Sequence, residues 1–250
     1  MRIRISGRRV ALVLLLAVAA AGAPPVAAVA PPHATAGTDP RPAPLPVCRY
    51  RDDRTRYARP ADWRRTLLDT NLRLPRDYRV PDLVPVSRAG IAGSGRIRAI
   101  AIADLRALAA AARRAGNPIA VRSAFRTWED QAAIFATWVR RSGRAQALRY
   151  SARPGHSEHQ LGVGIDFMSA GGGAPWAGGD WGSTPAGRWM ARNAWRYGWL
   201  MSYPPGEERR SCYGYEPWHW RYVGRERARV VRESGLPYRV WLWRTSEGLP

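Results

Sequence analysis

The sequence predicts an α+β fold: a small mixed or antiparallel sheet with flanking helices. Three observations predict it. Apolar residues recur at helical spacing around residues 97–114, 127–141 and 184–197. Short apolar runs at 119–121, 162–167, 199–203 and 218–223 read as strands. The two kinds mix without the regular strand–helix alternation of a parallel sheet, and no internal repeat or spanning segment interrupts them.

The chain opens on a leader. Residues 1–9 hold four arginines and no acid, residues 10–21 are apolar and rich in Ala, Leu and Val, and small residues follow. This is the three-part layout of a secretory signal over about residues 1–30, with cleavage after Ala28 or Ala36. An uncleaved anchor is the alternative, although the run is shorter than the ~20 residues of a spanning helix. Arg8-Arg9 matches a twin-arginine signal poorly. Residues 31–47, rich in Pro and Ala, read as a linker. Residues 48–250 then form one domain of ordinary size.

Within that domain, residues 62–69 suit a short helix or turn, and Leu74-Pro75 and Val80-Pro81 break the next stretch of chain into extended pieces. Helix 97–114 presents Ile100, Leu105, Leu108, Ala109 and Ala112 on one face and ends at Gly116. Strand 119–121 leads into Ser123-Ala124-Phe125-Arg126. Thr127 is placed to cap the next helix with Asp130 as its acidic partner, and Ser142-Gly143 stops it. Gly162 to Phe167 reads as a strand. Residues 170–187, with seven glycines and two tryptophans, read as a long surface loop bordering a site. Ser183 or Thr184 starts a helix that Gly198 stops. Residues 199–203 and 218–223 read as paired strands, 225–233 as a last helix, and 236–243 as an apolar tail packed back on the domain.

All 40 basic residues are arginine, which reflects base composition of the coding sequence more than a patterned patch. Net charge is +21, or +17 without the leader's four arginines, a field that attracts polyanions. For an exported chain these are wall polymers and anionic head groups. Nucleic acid is the usual partner of so basic a chain, but the arginines are scattered and no nucleic-acid motif is present. Cys48 and Cys212 are the only cysteines. In an exported chain they are expected to pair; two separate buried thiols are the alternative.

Three of the four histidines fall in two short stretches. The first runs from His156 through Ser157, Glu158 and His159 to Asp166; the second is Glu216-Pro217-Trp218-His219. His159 and Asp166 alone fit a buried turn histidine and a capping carboxylate better than a metal pair. With His219 they complete a His2Asp set, which suits zinc and leaves a coordination position open for water. Glu216, near the set but outside it, is placed to move a proton. A surface ion pair is its alternative. Arg126, at a strand-to-helix junction, is a candidate for stabilising a developing oxyanion.

Three blocks carry a resemblance. Ser123-Ala124-Phe125-Arg126 with Gln131, then Ala152-Arg153-Pro154-Gly155-His156-Ser157-Glu158-His159-Gln160 through Gly162, Gly164 and Asp166, then Glu216 to Gly224, resemble the VanY-like D-alanyl-D-alanine carboxypeptidases, zinc peptidases of the bacterial cell wall. The resemblance covers about residues 63–233. It implies His159, Asp166 and His219 as zinc ligands, Glu216 as general base, and Arg126 as the arginine that steadies the carbonyl oxygen. Ser157, Gln131 and Arg153 match substrate-binding motif positions; His156 matches a packing or supporting one. Gly164 stands where the family often has Ala, and the loop after Ser169 is enlarged. The expectation is an extracytoplasmic, monomeric carboxypeptidase that trims the terminal D-Ala of peptidoglycan stem peptides. A lytic endopeptidase or dipeptidase of the same fold is the alternative, and a non-enzymatic binder of anionic wall polymer is a third reading.

Overall fold

The computed structural model describes residues 41–249. The expected leader over 1–30, His33 and the first part of the expected linker lie outside the described residues. Nine short strands are present among the described residues: β1 (Asp53–Arg54), β2 (Leu72–Arg73), β3 (Leu83–Pro85), β4 (Ala92–Gly93), β5 (Arg96–Arg98), β6 (Ile119–Ser123), β7 (Gly164–Ser169), β8 (Trp199–Met201) and β9 (His219–Tyr222). The helices are α1 (Ile102–Arg114), α2 (Trp128–Ser142), α3 (Arg144–Tyr150), α4 (Pro185–Asn193), α5 (Glu208–Ser211), α6 (Arg225–Ser234) and α7 (Tyr238–Leu242). None is long and apolar enough to cross a membrane.

The central sheet has the order β4-β6-β7-β9-β8. β4 runs parallel to β6; every other neighbouring pair is antiparallel. Residues alternate between its faces. Ile165, Phe167, Trp220 and Tyr222 point into one core with Leu105, Leu108 and Ala112 of α1, all of them buried. Asp166, His219 and Arg221 take the opposite face, which is where the site forms. The two pairs β1–β2 and β3–β5 stand apart from this sheet.

The capping box is present: the Thr127 hydroxyl accepts from the Asp130 amide, and the Asp130 carboxylate accepts from the Thr127 amide. α1 differs from its expectation. It starts at Ile102 because residues 96–98 pair with β3 and 99–101 form a 3-10 turn. Ile100, expected on the buried face, is therefore 47% exposed. The expected helix from residue 184 divides into α4 and a 3-10 turn over 194–197, and Gly198 closes it with φ 82°.

Residues 43–47, inside the expected linker, have no regular secondary structure but are tied down. Ala43 exchanges hydrogen bonds with the Gly248 carbonyl and the Trp243 indole. The Pro46 carbonyl accepts from Arg239, and the Val47 carbonyl from Asn71. Arg239 is also the partner of a buried carboxylate: its Nε donates to Asp69 at 2.6 Å, with side chains 4% and 1% exposed. Asp69 further accepts from the amides of Asn71 and Leu72. Replacing Arg239 with Met leaves that charge unpaired inside the protein and is expected to cost about 3–5 kcal/mol. Calorimetry checks this; an unchanged Tm would show that the Asp69–Arg239 pair adds nothing to stability.

Candidate active site

The sheet register builds the centre of the site. Asp166 on β7 lies directly opposite His219 on β9, so two polar residues far apart in sequence meet across one ladder. His159 reaches the same point from a 3-10 turn over Glu158–Leu161, which Gly162 closes in the left-handed conformation at φ 70°. That turn rests on Gly164. A Cβ there would stand 3.0 Å from the His159 amide nitrogen and 3.1 Å from the Glu158 carbonyl carbon, so the absent side chain lets the turn lie against the strand.

His159 Nε2 lies 3.2 Å from Asp166 Oδ2, and His219 Nδ1 lies 3.0 Å from Asp166 Oδ1. One donor atom from each residue falls within 4.8 Å of the others, and all three residues are buried. The other nitrogen of each ring is taken. His159 Nδ1 donates to the Ala124 carbonyl at 2.6 Å, and His219 Nε2 lies 3.1 Å from Glu158 Oε2. These bonds leave Nε2 of His159 and Nδ1 of His219 facing the same carboxylate. Two ring nitrogens and a carboxylate converging out of water favour positive charge among them; a proton on His219 supplies it in the metal-free chain, and the same donor set fits a divalent ion such as zinc.

In the metal-free chain, burial lowers His159 to about 4, with Arg126 beside it adding to the effect. Burial would lower His219 too, but hydrogen bonds to Asp166 and Glu158 raise it to about 10. Asp166 is held well below the usual carboxylate range: burial opposes ionisation, and His159, His219 and Arg126 outweigh it. Burial also opposes ionisation of Glu158, yet Arg221, His219 and Ser202 hold it at about 2. Glu216 has the nearby charges of His219 and Arg126 but no such hydrogen bonds. Its carboxyl accepts no hydrogen bond among the described residues, and burial raises it to about 8.

These groups line a cavity of about 690 Å³. His159, Asp166, His219, Glu216, Arg126 and Ser157 all reach it. Trp138 and Arg141 of α2, Tyr150 of α3 and Trp176 of the Gly-rich loop supply further wall. Arg126 donates to Asp166 Oδ2 at 2.7 Å, to Ser123 Oγ through Nε and Nη2, and to Gln131 Oε1 at 3.2 Å. One of its five N–H groups, on Nη1, is left over.

Two residues expected to touch substrate are placed elsewhere. Gln131 is 1% exposed; its oxygen accepts from Arg126 and its nitrogen donates to the Ala152 carbonyl. It braces Arg126 because both ends of its amide are used. Arg153 turns away from the cavity to donate to Asp52 and to the carbonyls of Arg51 and Thr70. His156, fully buried, bridges the Asp69 carbonyl and the Asp52 carboxylate, a packing position. Cys48 and Cys212 are bonded, with Cα atoms 5.2 Å apart. The motif reading gave no role to Glu158 and Arg221, which the structure joins to each other and to His219. The signal was available: a carboxylate next to His159, and an arginine two residues after His219, hence on the same strand face.

A family model described as VanY, D-alanyl-D-alanine carboxypeptidase, matches residues 94–225. A Bacillus subtilis (strain 168) protein named as a carboxypeptidase, YodJ, is 37% identical over 140 residues, covering 56% of this chain and 51% of that protein. The chain thus spans about half the length of the curated relatives it matches. Among solved structures, the LdcB LD-carboxypeptidase aligns with TM-score 0.66 at 28% identity, over 78% of this chain and 98% of that one. A mutant of the vancomycin resistance D,D-pentapeptidase VanY, in complex with Zn(II), aligns with TM-score 0.62 at 29% identity, over 72% and 99%.

Proposed function

This chain belongs to the VanY D-alanyl-D-alanine carboxypeptidase family, and on that premise we propose that it is a zinc-dependent carboxypeptidase removing the terminal D-Ala of peptidoglycan stem peptides. The observation that carries the reading is the three-donor cluster, with the second nitrogen of each ring held by Ala124 or Glu158, beside the carboxyl of Glu216, which has no side-chain hydrogen bond among the described residues. His159 Nε2, Asp166 and His219 Nδ1 hold the ion. When bound, zinc supplies Lewis acidity, making water more acidic and polarising a carbonyl.

The chain's own groups do the rest. Glu216, buried at the cavity wall and outside the donor set, accepts the proton of the attacking water and delivers it to the leaving amine. Arg126 sets positive charge at the cavity wall, compensating Asp166 and leaving one N–H for the carbonyl oxygen. Ser157, on the same wall, contacts the substrate's C-terminal end. The cavity, far larger than a dipeptide needs, admits a longer stem. An extracytoplasmic location agrees with the disulfide and with the family's cell-wall substrates. The whole site comes from one chain, so a monomer suffices, and the arginine-rich surface suits anionic wall polymers.

The test is alanine release by zinc-loaded protein from a pentapeptide ending in two D-alanines. Loss of a single alanine, abolished by chelation and restored by zinc, is the expected result. No release from zinc-loaded protein would overturn the reading. The likeness to an LD-carboxypeptidase favours a second reading, in which a tetrapeptide is trimmed instead. Mass spectrometry of both digests separates the two, and severed cross-links would identify an endopeptidase.

A further inference from the structure

We propose that Glu158 and Arg221 are positioning residues that set the tautomer and orientation of His219, anchored on parts of the chain outside the family-matched core. The proposal rests on the zinc-site reading above. Glu158 lies at the centre. Its Oε2 accepts from Ser202 Oγ at 2.5 Å and faces His219 Nε2 at 3.1 Å. Its Oε1 accepts from Arg221 Nη1 at 2.9 Å. A carboxylate here is acceptor-only, so the Nε2 of His219 must carry the proton and Nδ1 is left for the metal. The Tyr203 ring stacks on the other side of the imidazole, 4.9 Å between centroids. The ring therefore has one stable orientation.

Arg221 makes that arrangement rigid. It is fully buried, 0% exposed, on the strand face shared with His219. Besides Glu158, its Nη2 donates to the Trp63 carbonyl at 2.7 Å and the Thr66 carbonyl at 2.9 Å. The Tyr238 ring covers its guanidinium at 5.0 Å. Opposite it on β7 is Gly164, so no side chain competes for the space. Trp63, Thr66 and Tyr238 all fall outside residues 94–225. Segments before and after the matched region thus hold the arginine that holds the glutamate that orients a metal ligand. A buried ion pair is a poor source of stability but a good source of fixed geometry, and supporting partners of metal-bound histidines typically change metal affinity by ~10–100-fold when removed.

Glu158→Gln tests this on the full chain. An amide offers one acceptor oxygen where the carboxylate offers two, so it cannot serve both Arg221 and His219. Zinc affinity is measured by competition with a chromophoric chelator, and the His219 tautomer by 15N NMR of zinc-loaded protein. The expected result is binding ~10–100-fold weaker, with Nε2–H no longer the dominant form. Ser202→Ala, a smaller change, is expected to weaken binding about threefold or more, and it decides the matter if the first variant does not fold. Zinc affinity within threefold of wild type with the tautomer unchanged would overturn the proposal. Failure of wild type itself to bind zinc would instead overturn the metal-site reading.

Discussion

Replacing Glu216 with glutamine is expected to lower kcat on a pentapeptide ending in D-Ala-D-Ala by about 10²–10⁴-fold, with zinc still bound. Glutamine has the same volume. No hydrogen bond is lost, since none is made to the carboxyl among the described residues, and the three metal donors lie on other side chains. What disappears is the group that takes and returns a proton. Full activity in the variant would remove Glu216 from the mechanism. Stability supplies an independent check. In protein stripped of metal, burial raises Glu216 from its ordinary 4.5 to about 8, so the folded chain binds this proton more tightly than the unfolded one. Its ionisation therefore costs the folded state progressively more as pH rises from 4.5 to about 8. Metal-free E216Q is expected to melt above wild type at pH 8 and higher, with the difference vanishing below pH 4.5. Equal melting across that range would show that the carboxyl is better solvated than its burial implies.

Replacing both Cys48 and Cys212 with serine is expected to lower stability by about 5 kcal/mol, the chain-entropy value for a loop of this length. The bond joins residues 164 apart, so the unfolded chain gains much freedom when it is cut. For a domain of this size each kcal/mol shifts Tm by ~2–4 °C, so the melting point should fall by roughly 10–20 °C. Activity is expected to suffer as well. Cys212 sits in the left-handed conformation at φ 73° just after α5, in the loop that leads to Tyr213 and Glu216 in the cavity wall. A Tm unchanged by the double substitution, or by reduction, would show that the hydrogen bonds of residues 43–49 and Asp69–Arg239 already hold this region closed.

Much of the fold was legible because it rests on local chemistry. Thr127 with Asp130 marks a helix start by mutual capping, and that box is present. Gly116 and Gly198 mark helix ends because only a residue without Cβ enters the left-handed region easily. The paired strands before and after Glu216 were visible as apolar runs, and they pair as β8 and β9. Less legible was anything set by pairing at a distance. Residues 97–101 have helical spacing yet form a strand and a turn, since β3 supplies hydrogen bonds to residues 96–98 that a helix would forfeit. The strap at 43–47 has linker composition and is ordered by carbonyls that meet Arg239 and Trp243.

The site divides along the same line. His159, Asp166, His219 and Glu216 were identifiable from residue type and spacing, because few side chains can hold zinc or move a proton and these stand together in two motifs. The sequence by itself determined which side chains could supply that chemistry and the capped helices around them. Only the tertiary structure decided which nitrogen of each imidazole faces Asp166, that Gln131 and Arg153 spend their polar groups inside the protein, and that Glu158 lies between His219 and Arg221. The reason is physical: a side chain's type limits what it can bind, but its available lone pairs and protons depend on which partners folding brings within about 3 Å.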